Sequence, residues 1–407
     1  MAETSFPKSS IKVLLLENIH PIAAEAFRAD GFAVETLKTA LPEAELAAKI
    51  RDVHILGIRS KTQITPKVLD EARRLLAIGA FCIGTNQIDL VHSNKVGTPA
   101  FNAPFSNTRS VAELIIAEIV MLSRQLGDRV REVHSGKWRK LATGSHEVRG
   151  HTLGIVGYGH IGSQIGVLAE SFGMRVVFYD VMAKLPMGNN RSVAFDELLA
   201  TADFVTLHVP ETPQTKNMIG AAELARMKPG ACLLNASRGT VVVIDALAEA
   251  LRSGHIGGAA VDVYPAEPES NSDGFESALR GLSNVLLTPH IGGSTEEAQE
   301  AIGREVSASL MKFINQGATT GAVNFPQVEL PMPSRAHRIL NTHRNVPGVL
   351  RDINRIVSDL HANIRAQLLS TDSEIGYLIM DLDQDVSQAV NKAVAELPTS
   401  IRTRILF

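Results

Sequence analysis

Short apolar runs alternating with amphipathic stretches of helical period fill roughly the first three quarters of this chain, and few folds accommodate that rhythm. Lys12 to Glu17 reads as a buried strand, Pro21 to Asp30 as a helix closed by Gly31, and Phe32 to Leu37 as the next strand. A helix opening at Pro42, a strand over His54 to Ile58 and a helix after Thr65-Pro66 continue the series. The alternation resumes from Thr152 to about His290, with strands at Leu153 to Val156, Val176 to Tyr179, Phe204 to Val209, Ala231 to Asn235, Ala259 to Val263 and Val285 to Leu287. It predicts an α/β protein built on parallel sheets with helices on both faces. Between the two series, residues 108 to 126 read as one helix too apolar for a surface, which predicts a place between domains or subunits.

The rhythm changes after Phe325 to Ser334, a proline-rich stretch that reads as a linker. Arg338 to His343 looks like a strand, Pro347 to Leu360 a helix with proline at its start, Asn363 to Ser370 and Gly376 to Leu382 two strands, Val386 to Leu397 a helix and Ser400 to Phe407 a last strand. The order βαββαβ is that of a ferredoxin-like module. In the last strand Ile401, Thr403 and Ile405 alternate with Arg402 and Arg404, which predicts one wet face.

Composition narrows the function classes. At ~150 residues per domain, 407 residues make two or three domains, and 40 basic against 43 acidic side chains exclude a bulk polyelectrolyte partner such as nucleic acid or an anionic membrane. No apolar run reaches the ~18 residues of a membrane span, and the opening MAETSFPKSSIK lacks the apolar core of a secretion signal. Cys82 and Cys232 lie in apolar runs outside any CxxC pair, which predicts buried reduced thiols in a soluble cytoplasmic protein and no metal site.

The segment Gly157-Tyr158-Gly159-His160-Ile161-Gly162 follows an apolar strand and opens an apolar helix, the context a dinucleotide fingerprint requires. Gly157 permits the tight turn, Gly159 lets a pyrophosphate approach the backbone, and Gly162 lets helix and strand pack closely; His160 and Ile161 open the helix whose N–H groups face the anion. The next strand ends in Asp180, about 18 residues beyond Gly162, where a carboxylate takes the ribose hydroxyls and repels a 2′-phosphate. No arginine follows it at once, so NAD is favoured over NADP.

Three polar residues stand at strand ends of the same half: Arg238 in NASRG, Glu267 in YPAEP and His290 in TPHIGG. Oxidising an alcohol at nicotinamide needs a base for the hydroxyl proton, a carboxylate to orient that base, and a cation for the substrate's carboxylate or carbonyl; histidine, glutamate and arginine supply those roles. These motifs, in this order, resemble the D-isomer-specific 2-hydroxyacid dehydrogenase family over essentially residues 10 to 325. The resemblance implies Arg238 on the substrate carboxylate and carbonyl, His290 as acid/base, Glu267 as its partner, and Asp262 against the nicotinamide carboxamide. It also implies a Rossmann-type nucleotide domain inserted into a flavodoxin-like substrate domain: residues 1–107 and 295–327 for the substrate domain, 108–294 for the NAD domain, 328–336 for a linker and 337–407 for a regulatory ACT domain.

Within the family the resemblance is to members that oxidise 3-phospho-D-glycerate to 3-phosphooxypyruvate, on FNAPFSNTRS (101–110), GTNQ (84–87) and IGGSTEEAQ (291–299). A doubly anionic substrate needs cations beyond Arg238. Arg59 and Lys61 end a first-domain strand, with Ser60 and Asn107 as neutral donors, although Lys61 can equally be a solvated charge. Resemblance further suggests that Trp138-Arg139-Lys140 reaches a neighbouring subunit's substrate in a homotetramer; the alternative is an aromatic anchored in its own domain beside solvated cations. His343, Asn345, Gly348 and Asn363 match the ACT ligand loop and its partner asparagine, which implies L-serine as an inhibitor. A glycine pair that serves some relatives as a hinge is replaced here by Pro331-Met332-Pro333-Ser334-Arg335-Ala336, which predicts a stiffer connection. Two other functions stay open from sequence: a dehydrogenase for a non-phosphorylated D-2-hydroxy acid such as glycerate, and an NAD-sensing scaffold or corepressor without turnover.

Overall fold

A computed structural model describes residues 5–268, 274–331, 337–383 and 386–407. The chain forms two compact units, one of Met1–Ser106 with Gln299–Phe407, the other of Asn107–Ala298.

In the first unit five short strands, β1 (Lys12–Leu15), β2 (Ala33–Thr36), β3 (Ile55–Ile58), β4 (Ala77–Ala80) and β5 (Ala100–Asn102), form a parallel sheet in the order β2-β1-β3-β4-β5. Helix α1 (Pro21–Ala29) stops at Gly31 in the left-handed region (φ 96°), as the sequence predicts. One face of the sheet buries Val13, Leu15 and Ile55 with Phe27, Val306 and Leu310, and the other buries Leu14, Leu56 and Ile58 with Leu46 and Val68. β4 and β5 lie outside the expected strands. β4 is four small or aliphatic residues, Ala-Ile-Gly-Ala, because a Cβ on Gly79 would stand 2.7 Å from Leu310 of the long helix Glu296–Gln316. Close packing there selects smallness over β-propensity.

The second unit carries seven parallel strands, β6 (Thr152–Val156), β7 (Arg175–Tyr179), β8 (Arg191–Ser192), β9 (Phe204–Leu207), β10 (Cys232–Asn235), β11 (Gly258–Val261) and β12 (Val285–Leu287), in the order β12-β11-β10-β9-β6-β7-β8. The sheet is doubly wound and its order reverses between β6 and β9, the switch point at which such sheets bind ligands. The apolar helix α2 (Thr108–Ser123) owes its composition to this sheet, since Val111, Ala112, Ile115 and Ile119 pack on Leu153, Ile155 and Phe178. It ends earlier than expected, where Gln125 turns left-handed (φ 52°) before α3 (Leu126–His134). Cys232 is buried, with its thiol pushed up to about 12 by burial and then by Asp203, whereas Cys82 lies past the end of β4 and is only half-buried.

The C-terminal module belongs to the first unit. Its strands β13 (His337–Arg344), β14 (Ile364–Thr371), β15 (Ile375–Leu382) and β16 (Ser400–Leu406) form an antiparallel sheet in the order β14-β15-β13-β16, and two helices (Val349–Asp359 and Ser387–Ala395) cover one face through Ile353, Val357, Val390 and Val394. The first of those helices starts after Gly348 (φ 96°), not at Pro347. The arginine face of β16 is not wet, contrary to the alternation: Arg402 donates to the Leu75 carbonyl and Arg404 to that of Ile314, both in the layer around the first sheet. The linker reading also needs correction over its described part. Phe325 and Val328 are buried in the first unit's core and Val328 exchanges hydrogen bonds with Thr319; residues 332–336 lie outside the described residues. Among the described residues no helix is long and apolar enough to cross a membrane.

Candidate active site

The second unit gathers the fingerprint and the three strand-end residues. β6 is followed by Gly157 (φ 93°), where a Cβ would stand 2.3 Å from the His208 carbonyl oxygen; at Gly162 it would stand 2.2 Å from the Gly157 oxygen. A Cβ on Gly159 would meet nothing within 4 Å, so the open side of the turn lies there, at the start of helix α4 (His160–Ser171), whose first residues His160 and Ile161 are not buried. A tight turn, an open cradle and a helix N-terminus fit a dinucleotide's pyrophosphate. Asp180 stands just past β7 and braces this turn, its Oδ2 accepting from the Tyr158 amide (2.8 Å) and its Oδ1 from that of Met182 (2.9 Å).

Arg238, Glu267 and His290 follow β10, β11 and β12. Gly239, next to Arg238, packs so tightly on the Tyr264–Pro265 backbone that a Cβ would fall 1.9 Å from the Tyr264 carbonyl carbon, which holds the arginine loop against the glutamate loop. His290 Nδ1 lies 2.9 Å from Glu267 Oε2 and 3.1 Å from Oε1, and Glu267 Oε1 also accepts from the Tyr264 amide. The Glu267 bond is the main cause that raises the His290 pKa, opposed by burial and aided by the charges of Glu267 and Asp262. Burial works against ionisation of Glu267, but the His290 bond and charge, the Tyr264 amide and Arg238 together hold its carboxyl below the usual range. His290 itself sits in the left-handed region (φ 56°), a costly conformation for a non-glycine residue.

What holds that strained loop is Asp262. Its Oδ1 accepts from the Thr288 hydroxyl (2.6 Å) and the Ile291 amide (2.8 Å), and its Oδ2 from the Gly292 amide (2.8 Å). Ser110, on α2, donates to the Gly292 carbonyl at 2.6 Å. Asn107, just before α2, lies against the same loop, since a Cβ on Gly293 would stand 2.4 Å from its Nδ2, and its Oδ1 is buried without a partner. Behind the loop is a group that sequence reasoning missed. Glu118 is 3% exposed, its Oε1 has no hydrogen-bond partner, and burial, then the charge of Asp262, pushes its pKa up to about 8. Its signal is an acid in register with Val111, Ile115 and Leu122 on the buried face of an apolar helix.

Arg59, Ser60 and Lys61 follow β3 in the first unit, where Gln87 donates to the Arg59 carbonyl (2.6 Å) and Glu17 accepts from the Lys61 (3.0 Å) and Thr62 (2.8 Å) amides. Arg139 pairs with Glu132 of its own chain at 2.6 Å, beside an exposed Lys140 and a Trp138 that is 83% exposed. In the C-terminal module His343 is buried, its Nδ1 2.9 Å from Asn341 Oδ1, and burial lowers its pKa. Asn345 and Asn363 are exposed; the Asn345 side chain donates to the Asp372 carbonyl (2.6 Å), and the Asn363 amide to Asp383 Oδ1.

A doubly wound sheet with this turn at its switch point, and a carboxylate-held imidazole beside a guanidinium at neighbouring strand ends, defines a nicotinamide-dependent dehydrogenase. Residues 116–292 match the D-isomer specific 2-hydroxyacid dehydrogenase NAD binding domain, and residues 339–402 match the AHAS small subunit-like ACT domain. The chain belongs to the D-isomer specific 2-hydroxyacid dehydrogenase family, and its cofactor is NAD. It is 57% identical to the D-3-phosphoglycerate dehydrogenase of Dictyostelium discoideum, over 99% of each chain, and 52% identical to that of Escherichia coli strain K12, over 100% of each. It is also similar to the crystal structure of Aquifex aeolicus D-lactate dehydrogenase complexed with NAD and lactic acid, at 27% identity and a TM-score of 0.68 over 77% of this chain and 100% of that one.

Proposed function

We propose that this chain oxidises 3-phospho-D-glycerate to 3-phosphooxypyruvate with NAD, the entry step to L-serine, and that L-serine inhibits it through the C-terminal module. The observation that carries the catalytic part is the His290–Glu267 pair, 2.9 Å apart, on a loop held by Asp262. NAD bound at this turn would supply the acceptor for the hydride that leaves carbon 2 of the substrate. Because Nδ1 of His290 is engaged by Glu267, Nε2 is the nitrogen that accepts the substrate's hydroxyl proton, and the carboxylate offsets the positive charge that arrives with it. Arg238 holds the substrate carboxylate and polarises the developing carbonyl.

Gly157, Gly159, Gly162, His160 and Ile161 receive the pyrophosphate, Asp180 the adenosine ribose and Asp262 the carboxamide. Arg59, Ser60, Lys61 and Asn107 are the groups proposed for the substrate's phosphate and carboxylate, with Arg139 or Lys140 added from a neighbouring subunit of a cytoplasmic homotetramer. The names of the full-length relatives support the phosphorylated substrate. For serine, Asn345, Gly348 and Asn363 offer an amide, an approachable backbone and a second amide at the module's surface, while His343, the fourth group proposed, lies buried beside Asn341.

NADH formation with 3-phosphoglycerate, with and without serine, tests the reading. Turnover that falls sharply when glycerate replaces 3-phosphoglycerate, and that serine suppresses, is expected. Equal turnover on glycerate overturns the phosphorylated substrate, NAD binding without turnover on any 2-hydroxy acid favours the scaffold, and indifference to serine removes the effector assignment alone.

A further inference from the structure

Arg402 and Arg404 stand two residues apart on one face of β16, turned toward the layer around the first sheet. Arg402 Nη1 donates to the Leu75 carbonyl. Arg404 Nη2 donates to the Ile314 carbonyl at 2.9 Å, and its guanidinium lies 5.1 Å from the centre of the Phe313 ring. Arg404 Nη1 is buried with no acceptor. Among the described residues no carboxylate lies within ion-pair distance of either guanidinium. Arg338, on the adjacent strand β13, shows what a neutralised arginine looks like here: its guanidinium meets both oxygens of Asp381, at 2.6 and 2.7 Å.

Carbonyl oxygens and a ring face supply only partial negative charge against two full positive ones. Burial pushes Arg402 down to about 10 and Arg404 in the same direction, the proximity of Arg404 adding to the shift of Arg402; both guanidiniums still keep their protons at neutral pH. Charges in such a setting are stable when paired and costly when not. Between the side chains lies a cavity of about 10 Å³, lined by both arginines with Thr342, Tyr377, Phe313 and Leu340. That volume holds one water-sized occupant and excludes phosphate, sulfate or an organic acid.

We propose that this cavity, between the arginine face of β16 and the layer beneath it, binds one small monovalent anion of the halide class, which offsets part of the paired positive charge of Arg402 and Arg404 and supplies the anionic partner they lack. The inference is independent of the substrate and of serine.

The full-length protein is melted at constant ionic strength while chloride replaces gluconate, which is too large for the cavity, and wild-type crystals are soaked in bromide. A saturable rise in Tm of about 2 °C or more with chloride and an anomalous-scattering peak in the cavity are expected. Arg404→Gln is expected to lose the chloride-dependent rise while still forming NADH. If that variant does not fold, the bromide peak in the wild type decides. A water with no anomalous peak in the cavity overturns the assignment, with or without a rise in Tm, as does a chloride effect that survives in Arg404→Gln.

Discussion

His290 illustrates how a single hydrogen bond sets the working pH of a site. The bond to Glu267 raises its pKa above the ordinary 6.5, so the neutral imidazole needed to accept a proton forms only at higher pH. Oxidation is therefore expected to rise with pH through that raised value. Glu267→Gln, which removes the charge, shifts the acid limb of kcat/KM to lower pH while cutting kcat; a pH series of NADH formation reads both, and an unmoved limb rejects the coupling. His290→Ala lowers kcat by roughly 100-fold or more. The titration of Glu118 bears on stability instead. Its native pKa of about 8 stands above the ordinary 4.5, so the folded chain keeps a proton that the unfolded chain releases, and stability falls as pH rises from about 4.5 to 8. Glu118→Gln removes that loss. Denaturant melts should show the variant gaining on the wild type between pH 5 and pH 8, by up to a few kcal/mol; parallel curves would mean that Glu118 is ionised in the native state.

Elements with both a period and a stop signal are legible in the sequence: α1 with Gly31, the glycine turn with its strand and helix, and the four strands and two helices of the C-terminal module. What escaped were elements shaped by their neighbours. β4 is small because the helix Glu296–Gln316 presses on Gly79, and the wet face assigned to β16 is covered by a layer some 90 to 330 residues away in sequence, which no local period encodes. The same distinction applies to the site. Arg238, Glu267 and His290 stand out as polar residues at strand ends, while the bracing roles of Asp262 and Asp180 exist only as hydrogen bonds to loops that the fold brings back. Asp180 carries two duties, so its replacement has two effects. Asp180→Ala is expected to raise KM for NAD, by loosening the Tyr158 and Met182 amides, and to narrow the preference for NAD over NADP, by removing the repulsion of a 2′-phosphate. Kinetics with both cofactors separate the two, and unchanged selectivity would limit Asp180 to the turn.

At the scale of the whole molecule, the C-terminal sheet is joined to the rest of the first unit by a shared apolar core, where Leu340, Tyr377 and Ile379 meet Phe101, Leu310 and Phe313, and by arginines, of which Arg338 is the most deeply placed. Besides its paired contact with Asp381, it donates to the carbonyls of Gln316 and Leu330 at 2.8 Å and of Pro331 at 2.9 Å. One guanidinium thus joins β13, β15, the last turn of the helix Glu296–Gln316 and the chain just before residue 332. Both members of the pair are essentially inaccessible to water, so removing one leaves the other charged and unpaired, at a cost on the order of 3–5 kcal/mol. None of Arg238, Glu267 and His290 lies in this unit. Asp381→Ala is therefore expected to lower the melting temperature of the first unit and to abolish the response to serine, while NADH formation from 3-phosphoglycerate persists at permissive temperature. Calorimetry and activity with and without serine test this together. A variant that melts normally would show that the pair contributes little to the attachment, and one that melts early yet responds fully to serine would show that the module can signal without its seat.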